Sequence, residues 1–530
     1  MQINIQDKEL MLCRKGIKEK ISTWVEQDIL VPDTKPDVMQ IISVNVVPYV
    51  NNVDVLDEKL NVSGNLNYFI IYKVSDGDYG ARGVFVSYPF SENLNVKGLK
   101  KDMNVIVRPR AKNVISSLPN ERKILVKTEL EFDICVKDYD KVRLVTDFEY
   151  DKDLEKKLVT DTFSNVKVNK RSIIASKDDV LLPKEASDLF EILRVDSKIK
   201  NTEIKESFNK IMLKGDILMN IVYLAENKED GVRSTEIVVP FTGMVEIENI
   251  NDKSKFDIEY LVQDLNISLN RDITTTKALN VDYKIEADVT MYEREEVNYI
   301  EDFYSQYENL EYNERNVDII KDFSKIECLI DVRETINSIF DNQKLIDCSC
   351  DLNSLNYSIN SNIIKVNGNV KASILLQNIE TGEIESKSLD ILIDKEARDD
   401  NINLSMKNDI KISLKDCKMV QNEENLEIML TIKLEVFSSL EGSVKIVENL
   451  STKKIDTTDL DSMNIYIVKE NDNLWNIAKK YKTRQWKVHY HLDYALTSYQ
   501  KKAIQKVNIY LKNAGAFCSG ILYLLIISLM

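Results

Sequence analysis

Histidine is the commonest general base in enzymes, and this 530-residue chain holds two of them, His489 and His491. The first 488 residues therefore offer no imidazole for proton transfer. No Gly-x-Gly-x-x-Gly follows a strand-like run. Neither a Gly-x-x-x-x-Gly-Lys-Ser/Thr phosphate loop nor a Gly-x-Ser-x-Gly elbow is present. Asp and Glu total 87, so close carboxylate pairs arise by chance and define no glycosidase dyad. Cys348 and Cys350 are one residue apart, but no second Cys pair or His is near them in the sequence. Structural zinc takes four ligands, so the two read as ordinary strand residues. The seven cysteines are odd in number and scattered, a pattern that suits reduced thiols better than a disulfide framework. The residues thus predict a protein that is not an enzyme, with no metal site and no cofactor.

Binding chemistry is concentrated near the end of the chain, in Tyr466-Ile-Val-Lys-Glu-Asn-Asp-Asn-Leu-Trp-Asn-Ile-Ala-Lys-Lys-Tyr481. Asp472 or Asn473 can cap a helix that begins near Leu474, because a short polar side chain accepts the orphan N–H groups there. Leu474, Ile477, Ala478 and Tyr481 then form one apolar face, packed on a strand over Tyr466-Ile-Val468. Trp475 is one position off that stripe and is expected to stay partly exposed. Large aromatics dominate interface energetics. The candidate contact set for a protein or glycan is therefore Trp475, with Leu474, Asn473, Asp472 and Val468. After this stretch the composition changes: residues 476–530 carry one acidic residue, Asp493, against nine Lys and Arg. Residues 482–530 read as a shifted frame or altered terminus. The alternative is a tail anchor in the apolar run 514–530, at the short limit for spanning about 30 Å of bilayer.

The elements that must carry this end are read from pattern and bulk properties. Hydrophobic residues are 43% and charged residues 30%, as in a folded globular protein, and the length predicts several domains. A net charge of −16 argues against a nucleic-acid partner, since such binding rests on neutralising phosphates. The polar, acidic start Met1-Gln-Ile-Asn-Ile-Gln-Asp-Lys-Glu-Leu lacks the pattern of a secretory signal. Leu10, Cys13, Ile17, Ile21 and Trp24 recur at helical spacing and predict an amphipathic helix over Lys8–Trp24. Beyond it the chain alternates apolar and polar residues as half-buried strands do.

That layout repeats. Pro32, Asp37, Ile41, Gly64, Tyr72, Pro89 and Phe90 return, without a gap, as Pro183, Asp188, Ile192, Gly215, Tyr223, Pro240 and Phe241. A weaker third copy carries Asp341, Leu345 and Gly368, with Leu376 in place of the tyrosine. Each copy closes on an alternating strand: Val126–Ile134, Tyr283–Val289 and Leu430–Val436. The expected fold is mainly β, with tandem sandwich-like repeats and short helices, plus a small α+β domain at the C-terminus. Its segments are an N-terminal amphipathic stretch (1–29), repeat one (30–140), a connector (141–170), repeat two (171–293), a connector (294–316), a degenerate repeat three (317–440), a linker (441–463) and the C-terminal domain (464–530). Asp138–Lys170 and Tyr292–Asn316 read as short helical or irregular connectors. The acidic Glu293-Arg-Glu-Glu and Glu301-Asp302 runs read as solvated faces.

The segment Leu30-Val-Pro-Asp-Thr-Lys-Pro-Asp-Val-Met-Gln-Ile-Ile42 resembles the opening motif of the SPOCS domain, a module named for its link to spore coat assembly. Tyr466–Tyr481 resembles the first half of a LysM domain, with Asn471 and Asn473 where that pattern has Gly and Thr. SPOCS repeats followed by a LysM resemble the SipL-type coat morphogenetic proteins, functional analogues of stage VI sporulation protein D. The resemblance implies a scaffold in the mother-cell cytoplasm at the forespore surface, not secreted. Its implied partners are the coat-basement ATPase, stage IV sporulation protein A, and other coat proteins, with only indirect membrane association. The alternative is a LysM-type binder of N-acetylglucosamine-containing glycan in the cortex or wall.

Overall fold

The computed structural model describes residues 3–14, 16–74, 80–150, 154–270, 277–337, 342–422, 425–454, 463–467, 473–484 and 524–528. Up to Lys454 the described chain is built from β-strands, in three units that repeat one strand order. The first unit comprises β1 (Asn4–Cys13), β2 (Lys18–Leu30), β3 (Val38–Leu56), β4 (Lys59–Val74), β5 (Ala81–Asn95), β6 (Asn104–Asn120), β7 (Lys123–Lys137) and β8 (Tyr139–Glu149). The second has β9 (Leu154–Leu181), β10 (Leu189–Ser207), β11 (Lys210–Ala225), β12 (Val232–Glu246), β13 (Lys255–Leu269) and β14 (Ala278–Ser305). The third has β15 (Glu308–Asn337), β16 (Gln343–Asn360), β17 (Ile363–Asn378), β18 (Ile384–Arg398), β19 (Lys407–Gln421) and β20 (Asn425–Lys454). A smaller region follows, with β21 (Met463–Ile467), helix α1 (Leu474–Lys480) and β22 (Leu524–Ser528).

Each unit is a sandwich of two antiparallel three-strand layers. The layers are β3-β4-β5 on β2-β7-β6, β10-β11-β12 on β13-β14-β9, and β16-β17-β18 on β19-β20-β15, the last continuing through β1 to β8 of the first unit as one five-strand sheet. Alternation explains why: Leu130, Phe132, Ile134 and Val136 of β7 all point into the first core, as Ile428, Leu430, Ile432 and Leu434 of β20 do in the third. The residues repeated in sequence act within this frame. Gly64 and Gly215 lie directly across the ladder from Phe90 and Phe241. A side chain at Gly64 would meet the Tyr49 carbonyl oxygen, and one at Gly215 the Phe241 ring. The Tyr72 hydroxyl donates to the Pro36 carbonyl at 3.1 Å, pinning the turn before β3. Tyr223 is hydrogen-bonded to the backbone of Ser187 at the equivalent turn. The third unit has Leu376 here, buried but unable to make that bond. Asp341 lies outside the described residues.

Two expectations are corrected. Lys8–Trp24 is not a helix; its residues 8–13 lie in β1 and 18–24 in β2. Leu10 and Leu12 are both buried, a spacing of two that the helical stripe would have split. In β2, exposure alternates residue by residue. Pairing of β2 with β7 along its whole length supplies hydrogen bonds that override the local period. Likewise, Asp138–Lys170 and Tyr292–Asn316 are not helical or irregular. Strands run through most of both segments, and β9 and β14 pair continuously from Ala278–Leu181 to Ser305–Leu154 apart from two bulges.

These extensions hold the three units together. Ribbons β1/β8, β9/β14 and β15/β20 converge on one core: Leu10, Leu12, Val142 and Leu144 from the first, Phe163, Val297 and Tyr299 from the second, and Val317, Ile319, Val444 and Ile446 from the third. A second shared core stacks Phe148, Phe303 and Leu450. At the opposite side of the units, Ile71, Val222 and Leu375 meet, with Ala81, Val232 and Ile384 beside them. Each of these trios occupies one ladder position in its unit. The units therefore close on one another as a ring, equivalent residue against equivalent residue.

Candidate functional site

Helix α1 does not stand free. Asn473 caps it: the side-chain oxygen accepts the Asn476 N–H at 2.7 Å. The Trp475 ring packs edge-on against Tyr304 of β14, centroids 5.1 Å apart, and Ile477 and Ala478 complete a small buried cluster with Leu474 and Tyr481 at its margin. Trp475 is 9% exposed, so the expectation of an exposed aromatic anchor is corrected. The indole N–H donates to Asp302 at 2.7 Å, and Lys479 reaches the other oxygen of the same carboxylate at 2.5 Å. Leu474 is half-buried and Asn473 exposed. Asp472 and Val468 lie outside the described residues.

Three further contacts extend the seam. The Tyr304 hydroxyl donates to the Thr483 carbonyl at 2.7 Å, Lys482 bonds Asn309, and Arg484 approaches Glu155 at 3.6 Å. Burial on its own would raise the Asp302 carboxyl, but the donors from Lys479 and Trp475 outweigh it and hold the group below the usual carboxylate range. Asp302, read from the sequence as part of a solvated Glu301-Asp302 face, is corrected: it is half-buried and accepts from Trp475 and Lys479. It stands 173 positions before Trp475, and no local pattern connects them. Nor is the Glu293–Glu296 run a free solvated face. Glu295 bonds Asn165 and Lys167 and pairs with Lys8; burial opposes the charge, yet these donors hold it at about 2.

Strand β21 pairs antiparallel with β22, from Met463–Ser528 to Ile467–Leu524. Strand β21 thus finds its partner inside the apolar run 514–530, read from the sequence as an altered terminus or a tail anchor. Among the described residues, no helix is long and apolar enough to cross a membrane.

Charged side chains lie where the units meet. Arg194 is buried, bonds Asp196 at 2.9 Å and also bonds Asp347, which receives Asn220 at 2.6 Å. Asn45 donates to Asp196 at 2.8 Å. Ser43, Arg194 and Asp347 hold one ladder position in three units, as do Asn45, Asp196 and Ser349. A second set is Arg108, Glu259 and Lys411. Arg108 bonds Glu259. Burial would raise the Glu259 carboxyl, but Arg108, Lys137 and Lys411 keep it at about 2. Equivalent positions thus carry different charges in the three units, and the opposite charges pair: Arg194 with Asp347 and Arg108 with Glu259.

A family model described as SipL, SPOCS domain, matches residues 37–118 and 188–270. These spans take in nearly the same four strands of each unit, β3 to β6 and β10 to β13. No curated protein and no solved structure matches the chain. Over these two regions the chain is similar to the SPOCS domain of a sporulation coat-related family.

Proposed function

We propose that this chain, similar over two regions to the SPOCS domain, is a non-enzymatic morphogenetic scaffold of the spore coat. In this reading it binds the coat-basement ATPase, stage IV sporulation protein A, at the forespore surface in the mother cell and promotes encasement. The two family matches carry the reading. The closed three-unit body supports it, because a ring of sandwiches sharing cores presents its outer faces at fixed mutual positions. Contacts made by several faces then add through effective concentration. The LysM-like end is the proposed partner-binding region, with Trp475 and Asn473 shaping it and Asp302 anchoring it. The glycan alternative gains nothing from the geometry, since the Trp475 ring lies against Tyr304 and does not offer an open face for sugar stacking.

The test is co-purification of the ATPase with the full chain, with a chain ending at Asp461, and with Trp475→Glu. Retention by the full chain and loss in both variants is the expected result. Failure of the full chain to retain the ATPase, while it is retained on insoluble peptidoglycan, would replace the scaffold by the glycan reading.

A further inference from the structure

Three thiols that the sequence scatters come together in the third unit. Cys350 of β16 and Cys417 of β19 have their sulfur atoms 2.7 Å apart, and Cys348 also lies within hydrogen-bond reach of Cys417. Strand β16 edges one layer of the sandwich and β19 edges the other. All three side chains are half-buried at the margin of the core.

The other two units show what these positions do without sulfur. The ladder registers equate Cys348 with Val195 and Val44, and Cys350 with Ser197 and Val46. They equate Cys417 with Leu265 and Val114. The fold thus needs only small or apolar side chains here, and in the third unit alone all three positions carry thiols. A shared metal ion fits poorly. Two thiolates on one tetrahedral zinc sit about 3.8 Å apart, given a Zn–S distance near 2.3 Å. Among the described residues no group of three or more His, Cys, Asp or Glu is arranged to hold a metal.

We infer that Cys350 and Cys417 are a modification site: a thiol pair that closes to a disulfide with a low-molecular-weight disulfide as oxidant, and that Cys348 is the alternative partner for Cys417. In the first step the Cys417 thiolate attacks one sulfur of the oxidant, breaks its S–S bond and releases one small thiolate, which takes up a proton. In the second, the Cys350 thiolate attacks the Cys417 sulfur, breaks the mixed disulfide and releases the second small thiol. The pair loses two electrons and two protons, and the oxidant becomes two thiols. The bond staples the two layers of the third sandwich. Lys198 is the cation near Cys417, and it and Lys200 also face Asp416 at 3.9 and 3.2 Å. The bond with Cys348 lowers the Cys417 thiol, but the bond with Cys350 and partial burial outweigh it, so the thiol is pushed up overall. Exchange is therefore slow near neutrality and speeds up as pH rises.

The experiment treats the folded full chain with oxidised glutathione, then counts thiols in denaturant and maps peptides without reduction. The expected result is a fall from seven free thiols to five, a Cys350–Cys417 cross-link, and full reversal by dithiothreitol. Cys348→Ser should keep that link, Cys350→Ser should redirect it to Cys348–Cys417, and Cys417→Ser should abolish both. An unchanged circular dichroism spectrum establishes that each variant is folded. Seven thiols remaining in the treated wild type, or a link that forms only after unfolding, overturns the inference. Stoichiometric protection of all three thiols by zinc alone, with no cross-link, overturns it in favour of a metal site.

Discussion

Asp302 is where one side chain decides the position of a whole element. Its carboxylate takes a donor from Trp475 and another from Lys479, so removing it leaves a buried indole N–H and a cation without an acceptor. Hydrogen bonds to a charged group are each worth about 1.5–3 kcal/mol, and partial exposure of the pair screens some of this. Asp302→Ala is expected to weaken docking of α1 by about 1–3 kcal/mol. Hydrogen exchange at the amides of Leu474 to Tyr481 reads this directly. Exchange should accelerate there while β14 stays protected, and unchanged protection would mean that packing on Tyr304 alone holds the helix. Nothing within several residues of either partner announces this contact. Trp475, Leu474 and Asn473 could be picked out from their motif, but a helix of seven residues shows its partner only when docked.

At the scale of the element, the repeated glycines separate two kinds of constraint. A Cβ on Gly64 would lie 1.9 Å from the Tyr49 carbonyl oxygen, which belongs to a paired strand and cannot step aside. On Gly215 the obstacle is the Phe241 ring at 2.5 Å, a side chain that can rotate. Overpacking a well-filled site costs about 1–3 kcal/mol. Gly64→Ala is accordingly expected at the upper end of that range and Gly215→Ala at the lower, as a larger fall in thermal midpoint for the first. Equal falls would show that the aromatic ring is as fixed as the backbone. Strand alternation was plain in sequence through β4, β7 and β20. It misled at Lys8–Trp24, where the apolar spacing fitted a helix as well as a strand and pairing with β7 settled the matter.

For the whole molecule, the shared cores at both sides of the units make separate unfolding costly. Leu10 and Val142 of the first unit, Phe163 of the second and Val317 of the third pack in one cluster. Calorimetry of the full chain should accordingly give one main transition for the three units; three well-separated transitions would contradict the closed arrangement. Acid should weaken it in a defined window. The Glu259 carboxyl, held at about 2 by Arg108, Lys137 and Lys411 despite burial, titrates near 4.3 when unfolded. A depressed carboxylate contributes stability fully above the unfolded value and loses it as pH falls through the folded one. The midpoint should therefore drop between about pH 4 and pH 2, and Glu259→Gln should flatten that part of the curve.

The sequence by itself determined the mainly β class, the duplication and the SPOCS resemblance, because these follow from alternation along a strand and from residues that recur at one spacing. Pro32 and Pro183, Gly64 and Gly215, Tyr72 and Tyr223 are local requirements of a turn, a close approach and a core. Only the tertiary structure decided that the segments taken for connectors are strands, that the units close into a ring, that Asp302 receives Trp475, and that Cys350 faces Cys417. Each of these joins groups far apart along the chain, such as Arg194 with Asp347 or Leu10 with Val317. Burial and charge compensation between distant strands leave no periodic mark on either strand alone.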